Sequence, residues 1–383
     1  LMTIRGSHFI GLSGIGGVQK TFFEYMEYTK NDVNFLHKVY TLGKVDAQYK
    51  SSFKVYNIAN PKNIFSLALD LFSHNRIVHF YNNLSSLKVA VFLLFVSTNS
   101  LIVHERGTVW NIQKKNNIVL RFIVWKSALV LANSNATKAM LELRHSIPSE
   151  KIQVIYNGIN PFYCQHSEKL KKNRSFKIGF IGRFDAPKGI HVLIDSMKYL
   201  STYPIELNLA GDGILKQHMI KRAGNNKKIK FLGRVGDLEE FYKTIDLLVV
   251  PSIREPFGNI CVEAGFYKTP VLAANIDGIP EIIENGISGE LVTPTDPVSA
   301  DGVTKKSLKY PKKVINPDKM ILTKSKQINP KILANRITSI LSNPDKLRKY
   351  SLELYKIATS KYTIKNYINK LHAIYARLAN SKI

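Results

Sequence analysis

Short runs of β-branched and aromatic residues alternate with amphipathic stretches along almost the whole chain. That alternation admits few architectures, because strands each followed by a helix pair in parallel, and the helices then cover the sheet. Ser7–Leu12, Leu36–Leu42, Arg76–Phe80, Leu101–His104, Leu129–Asn133 and Gln153–Tyr156 read as strands of one sheet. Lys177–Ile181, Glu206–Ala210, Lys228–Leu232, Leu247–Val250, Val271–Ala274 and Glu290–Val292 read as strands of another. Helical patterns fall between them, at Val18–Thr29, Leu84–Phe95, Gln113–Lys126 and Ala136–His145 in the first half. In the second half they fall at Gly189–Leu200, Ile214–Ala223, Leu238–Thr244, Gly258–Phe266 and Ile279–Asn285. A chain of 383 residues is too long for one ordinary core. The expectation is α/β, with two doubly wound, mainly parallel domains.

The polar stretch His166–Arg174 separates the two series. The domain reading is therefore 1–165, a linker at 166–175, a second domain at 176–355, and a terminal helix at 356–383. Residues 300–329 are rich in lysine and proline with weak periodicity and read as an irregular excursion. Helical patterning resumes at Pro330, with a break expected at Asn343–Pro344.

Composition narrows the function classes. Hydrophobic residues at 45% and charged residues at 22% exclude wholesale disorder and fibrous repeats. Cys164 and Cys261 lie far apart without metal or redox spacing, which fits a reducing cytosol. The formal charge of +27 calls for an anionic partner: nucleic acid, acidic lipid or a phosphorylated small molecule. Both halves of the chain carry the surplus, whereas nucleic-acid binders gather it into one stripe. No secretory signal is expected at the start, and Val89–Val96 and Ile118–Trp125 are too short to span a bilayer.

Ligands of open α/β sheets bind outside the carboxyl ends of the strands, and small and charged residues collect there in both halves. Ser13-Gly14-Ile15-Gly16-Gly17 follows the first strand and suits an anion before a helix. It lacks the spacing of a Walker loop or a dinucleotide fingerprint. Arg183 and Lys188 follow Lys177–Ile181 and offer two positive charges to a diphosphate. The most informative segment is Glu255-Pro256-Phe257-Gly258-Asn259-Ile260-Cys261-Val262-Glu263. Amides of Gly258, Asn259 and Ile260 would open a helix beside an anion. Glu263 sits one turn deeper on the face of Asn259. Two carboxylates flanking an anion site suit the vicinal hydroxyls of a sugar next to a phosphate.

That segment resembles the E-x7-E signature of the retaining family-4 glycosyltransferases, which have the GT-B fold. The likeness extends through Phe180-Ile181-Gly182-Arg183, Leu209-Ala210-Gly211-Asp212-Gly213, Gly278-Ile279-Pro280-Glu281 and Gly286-Ile287-Ser288-Gly289. Fainter echoes are Gly16-Gly17, His104, Asn133-Ser134 and Tyr156-Asn157-Gly158-Ile159. The resemblance implies two Rossmann-like domains facing a cleft, with the last helix crossing back onto the first. It implies that Arg183 and Lys188 hold the donor diphosphate with the Gly258–Ile260 amides beside Phe257. Glu263 would hold the ribose, Glu255 the sugar hydroxyls, and the backbone near Arg234–Val235 the base. Gly16 and Gly17 would approach the donor from the first domain, and His104 would lie near the anomeric carbon. Transfer with retention and without a bound metal or other cofactor is the family habit. The substrates implied are a nucleotide sugar, a UDP-sugar by preference, and a glycan or lipid-linked acceptor of bacterial capsule, O-antigen or lipopolysaccharide synthesis.

Two features depart from that pattern. Asp277 stands where a glycine is common, and Glu105-Arg106 has no assigned role. The helix Gln113–Lys126 mixes lysines with Ile118, Phe122 and Trp125 and could rest on an anionic membrane or pack inward. The expected location is cytoplasmic, with peripheral contact to the inner membrane face. Rival readings are a nucleotide-sugar epimerase on the same fold and a basic nucleic-acid-binding protein.

Overall fold

In the computed structural model, residues 4–14, 16–32, 35–73, 75–96, 100–113, 117–160, 175–299 and 310–380 are described. The chain divides into two units, Leu1–Asn160 with Thr363–Ile383, and Pro161–Tyr362. Residues 166–174 of the expected linker lie outside the described residues.

The first unit is built on seven parallel strands: β1 (Ile4–Phe9), β2 (Phe35–Thr41), β3 (Val55–Asn57), β4 (Arg76–Tyr81), β5 (Leu101–Glu105), β6 (Leu129–Ala132) and β7 (Ile152–Val154). Their order is β3-β2-β1-β4-β5-β6-β7, so the chain runs outward one way, returns, and runs outward the other way. The connecting helices are α1 (Gly17–Thr29), α2 (Ala47–Ser52), α3 (Pro61–Phe72), α4 (Leu87–Leu94), α5 (Asn117–Lys126) and α6 (Asn135–His145). Right-handed crossovers place α3 to α6 on one face of that sheet and α1 on the other. Asp70 on α3 pins it to three strands, accepting from Ser7 Oγ at 2.7 Å and Tyr40 Oη at 2.7 Å and pairing with Arg76 at 3.1 Å.

The second unit carries six parallel strands: β8 (Phe176–Ile181), β9 (Ile205–Ala210), β10 (Ile229–Gly233), β11 (Leu247–Val250), β12 (Val271–Ala274) and β13 (Glu290–Val292). Their order is β10-β9-β8-β11-β12-β13, which puts the switch point between β8 and β11. Its helices are α7 (Ile190–Ser196), α8 (Lys216–Ala223), α9 (Leu238–Thr244), α10 (Asn259–Phe266), α11 (Pro330–Leu341) and α12 (Pro344–Lys361). Asn343 caps α12 by accepting the Lys346 amide at 3.0 Å, the break expected before Pro344.

Two expectations are corrected. Ile279–Asn285 forms only a single 3-10 turn, Ile279–Glu281. The Glu284 amide turns to Ser288 Oγ at 2.9 Å and the Gly286 amide to the Gly289 carbonyl at 2.8 Å, which bends the chain back toward β13. Part of the excursion at 300–329 is regular: after the short strand β14 (Asp296–Pro297), β15 (Lys313–Asn316) and β16 (Ile321–Lys324) form an antiparallel hairpin. β17 (Lys326–Gln327) then pairs with β14.

The last helix, α13 (Ile364–Asn380), belongs to the first unit. Its Ile364, Tyr367, Ile368, Leu371, Ile374 and Tyr375 enter the core with Phe22, Tyr25, Tyr81 and Ile102. Histidines lie beside the same core, His8 and His79 buried, His37 and His372 half-buried. His8 meets His37 at 3.1 Å, His79 Nδ1 meets Tyr375 Oη at 2.6 Å, and His372 Nε2 meets Tyr25 Oη at 3.2 Å. Burial lowers the His8 and His79 pKa values well below the usual range and lowers His37 and His372 to about 4. An unfolded histidine takes a proton near pH 6.5, so between that pH and about 4 the unfolded chain binds more protons than the folded one. Stability is therefore present in full above about pH 6.5 and is lost as the pH falls toward about 4. At about pH 5 His37 alone accounts for a loss of about 2 kcal/mol. Calorimetry of the full chain should show a lower melting temperature at about pH 5 than at about pH 7.5; an equal or higher one contradicts this reading.

Candidate functional site

The loops after β8 and β11 interlock at the switch point. After β8 the chain makes a 3-10 turn at Ala186–Lys188 and enters α7 through Gly189, whose φ is +65°. A Cβ on Gly189 would collide with the Pro251 carbonyl oxygen, so only glycine lets this turn lie against the β11 loop. The Pro187 carbonyl accepts amides from Ile253 at 2.8 Å and Arg254 at 3.2 Å, locking the two loops together.

This lock brings Lys188 and Glu255 into contact, Nζ to Oε2 at 2.5 Å. Glu255 is buried and Ser252 Oγ lies 3.5 Å from the same oxygen. An ion pair so withdrawn from water is a strong local charge arrangement, and it orients both side chains. Arg183 reaches into solvent from the β8 loop and pairs with Asp185 at 3.1 Å, its side chain 74% exposed. Both cations therefore rise from one loop, one held by buried Glu255 and one exposed to solvent beside Asp185.

Beyond Glu255, Phe257 is buried edge-to-face against Tyr362, with ring centroids 5.5 Å apart. Gly258, at φ +106°, caps α10, and its carbonyl accepts the Cys261 amide at 2.8 Å. Asn259 and Ile260 form the first turn, where the helix dipole is positive. Glu263 lies one turn on, half-buried, and accepts from Tyr242 Oη at 3.3 Å. Cys261 between the carboxylates is buried, and burial above all, then Glu255, pushes its thiol up, so it stays protonated. Val235 is half-buried just after β10, at the far edge of the same sheet. Arg183, Lys188, Glu255, Phe257, Gly258, Asn259, Ile260 and Glu263 thus share the carboxyl ends of the adjacent strands β8 and β11.

Asp277, the departure from a common glycine, buttresses the Glu255 loop. Its carboxylate accepts the Glu255 amide at 3.0 Å and the Ile315 amide at 2.7 Å, tying the hairpin to the Glu255 loop. The Gly278 amide donates to the Glu255 carbonyl at 3.1 Å. The only sequence signal for Asp277 was its departure from glycine.

In the first unit, exposed Gly16 caps α1 and Gly17 opens it, while the Gly14 amide donates to Asp46 Oδ2 at 2.7 Å. His104 is wholly buried on the sheet face that α13 covers. Its ring lies 5.3 Å from that of His79 and 6.4 Å from that of Tyr367. Neither ring nitrogen has a hydrogen-bond partner among the described residues, and burial holds its pKa far below the usual range, so the ring is neutral. Glu105 and Arg106 do not pair with each other. Glu105 caps its own turn, accepting the Gly107 amide at 2.8 Å and the Val109 amide at 3.0 Å, while Arg106 Nη2 donates to Asn157 Oδ1 at 2.6 Å. Among the described residues no cluster of His, Cys, Asp or Glu is arranged to hold a metal ion.

Residues 34–161 match the family model for glycosyltransferase family 4, and residues 164–313 match that for glycosyl transferases group 1. An uncharacterized glycosyltransferase of Methanocaldococcus jannaschii is 34% identical over 192 residues, which is 46% of this chain and 49% of that protein. The capsular polysaccharide biosynthesis glycosyltransferase CapM of Staphylococcus aureus is 31% identical over 158 residues, 40% of each chain. The matched stretch thus spans about half the length of the first of these relatives, and less of the second. Among solved structures, Anabaena HepE in complex with UDP and glucose superposes with a TM-score of 0.76 at 18% identity, covering 97% of this chain and 99% of that one. The lipopolysaccharide outer core galactosyltransferase WaaB superposes at 0.68 with 14% identity over the same shares, a likeness of fold. Each of the two parallel-sheet, Rossmann-like units thus carries one match, the first to the glycosyltransferase family 4 model and the second to the glycosyl transferases group 1 model, on a fold like that of GT-B structures.

Proposed function

We propose that the second unit binds a nucleotide-diphosphate sugar at the carboxyl ends of β8 and β11. The protein then transfers the sugar, with retention and without a resident metal, to a glycan or lipid-linked acceptor of envelope polysaccharide synthesis. The observation that carries this reading is the Lys188–Glu255 contact, which sets a cation beside a carboxylate at the switch point. A diphosphate would draw on Lys188, on Arg183 swinging in from solvent, and on the first turn of α10. Charge grows on that group as the glycosidic bond breaks, so fixed donors there favour the transition state over the ground state. Glu255 would orient sugar hydroxyls, Glu263 would hold the ribose, and Val235 would border the base. The leaving phosphate oxygen would take the acceptor proton. A UDP-sugar is the preferred donor, in keeping with the HepE structure, which holds UDP-glucose. His104, near the carboxyl end of β5, would serve the donor sugar near its anomeric carbon. The epimerase alternative is not favoured, since both family matches are to glycosyltransferases.

Thermal shift with a panel of nucleoside diphosphates and their sugars tests the reading directly. A UDP-sugar should raise the melting temperature, and the absence of any response across the panel would remove the proposal. Lys188→Ala should lower turnover roughly a hundredfold and weaken UDP binding. Glu255→Gln should cut turnover, because the sugar loses its carboxylate, while UDP, which lacks the sugar, should bind at least as tightly to a Lys188 released from its ion pair. Gly189→Ala should damage both, since the Lys188 turn can no longer lie against the β11 loop. The nucleic-acid reading instead predicts tight, salt-sensitive binding to DNA or RNA that survives Glu255→Gln.

The outer face of α3 to α5 supports a place on the cytoplasmic side of an anionic membrane. From residue 47 to residue 141 the only carboxylates are Asp70 and Glu105, and both are buried. Phe95, Ile118 and Trp125 are 78%, 77% and 70% exposed, and Lys126 lies 5.7 Å from the Trp125 ring. Apolar side chains amid cations suit the headgroup boundary of acidic lipid. No helix among the described residues is long and apolar enough to cross a membrane. Sedimentation with anionic vesicles at low salt should recover the protein, and the double variant Phe95→Ser, Trp125→Ser should stay in solution. Equal recovery of the two would exclude this face.

A further inference from the structure

The first unit contains a cavity of about 560 Å³, within the range of small-molecule sites. It opens between the end of β2, helix α2 and strand β3. Three lysines line it, Lys44, Lys50 and Lys54, together with Phe53, Val45 and Val55. None of the three lysines has a carboxylate partner among the described residues. Between Asp32 and Asp70 the only carboxylate in the sequence is Asp46, and its Oδ2 already accepts the Gly14 amide at 2.7 Å. The walls are held in place. Asn57 Nδ2 donates to the Gly43 carbonyl at 3.0 Å, and Tyr49 Oη on α2 donates to the Gly14 carbonyl at 3.2 Å.

Lys44, Lys50 and Lys54 bring three positive charges to the lining of one apolar-walled hollow, Lys54 Nζ lying 5.3 Å from the Tyr56 ring, and a bound anion would offset the gathering of like charge. Lysine binds phosphate as a point charge, without the planar fork that arginine offers a carboxylate. Phe53, Val45 and Val55 would meet an apolar or ring-bearing remainder. We propose that this cavity binds the phosphate or diphosphate group of the acceptor, so that the acceptor is a phosphate-bearing molecule. The inference rests on the glycosyltransferase reading for the word acceptor, but the anion site itself stands on the cavity and its lysines. The phosphate could come from a lipid-linked saccharide or from a soluble sugar phosphate, and the shared chemistry is a phosphate ester held by Lys44, Lys50 and Lys54.

Isothermal titration of the full chain, with the nucleotide site saturated by UDP, tests this with three probes: geranyl diphosphate, glucose 1-phosphate and inorganic pyrophosphate. At least one phosphate ester should bind in addition to UDP, more weakly as salt rises. The triple variant Lys44→Ala, Lys50→Ala, Lys54→Ala should bind it at least about tenfold more weakly, with UDP affinity within about twofold of the parent. Circular dichroism confirms that the variant folds, as expected for three exposed side chains. Geranyl diphosphate binding well above glucose 1-phosphate, and losing that margin in Phe53→Ser, identifies the lipid-linked source; equal binding identifies the soluble one. No ester binding to the UDP-saturated protein, or unchanged binding in the triple variant, overturns the proposal. Failure of UDP itself to bind would instead strike the nucleotide reading and leave ester binding to be measured on the free protein.

Discussion

Two amides from the β11 loop converge on one carbonyl of the β8 loop, that of Pro187, and the architecture of the second unit's site follows from this contact. It sets Ile253 and Arg254 beside the turn that carries Lys188, and the ion pair with Glu255 then closes over a distance of 67 residues in sequence. Backbone hydrogen bonds fix the loops, and the side-chain charges ride on them. Asp277 adds a third loop to the clamp by taking amides from both Glu255 and Ile315. Preorganisation of this kind would serve the proposed transfer, because fixed dipoles need not reorient as charge develops.

The first unit depends on a different physics. Its histidines lie among tyrosines in a core with little water, and their neutrality is a consequence of burial. His104 lies near the end of β5, buried, with its ring 6.4 Å from that of Tyr367 on α13. The polar work at that strand end passes to Glu105 and Arg106, which hold a turn and Asn157 respectively.

Much of the second unit was legible in the sequence. Strands buried on both faces read as unbroken apolar runs, as Leu247–Val250 and Val271–Ala274 do, and the loops after them carry the charged residues. Lys188, Glu255 and Glu263 were legible because helix starts and strand ends have local signatures. The hairpin at Lys313–Lys324 was not, since its short strands sit in a lysine-rich stretch and its tie to Asp277 spans 38 residues. The short strand Val55–Asn57 has three residues and no alternation to detect. The cover over His104 was not legible for the same reason of range: the helix that packs on it lies more than 250 positions downstream.

Residues 364–380 complete a core whose other members all precede residue 160. During synthesis the second unit, a continuous stretch, has every residue it needs before α13 leaves the ribosome. The first unit must wait, with Tyr25, Tyr81 and Ile102 exposed to water or to chaperones while some two hundred further residues are added. The strands made before the second unit are thus sealed only after it.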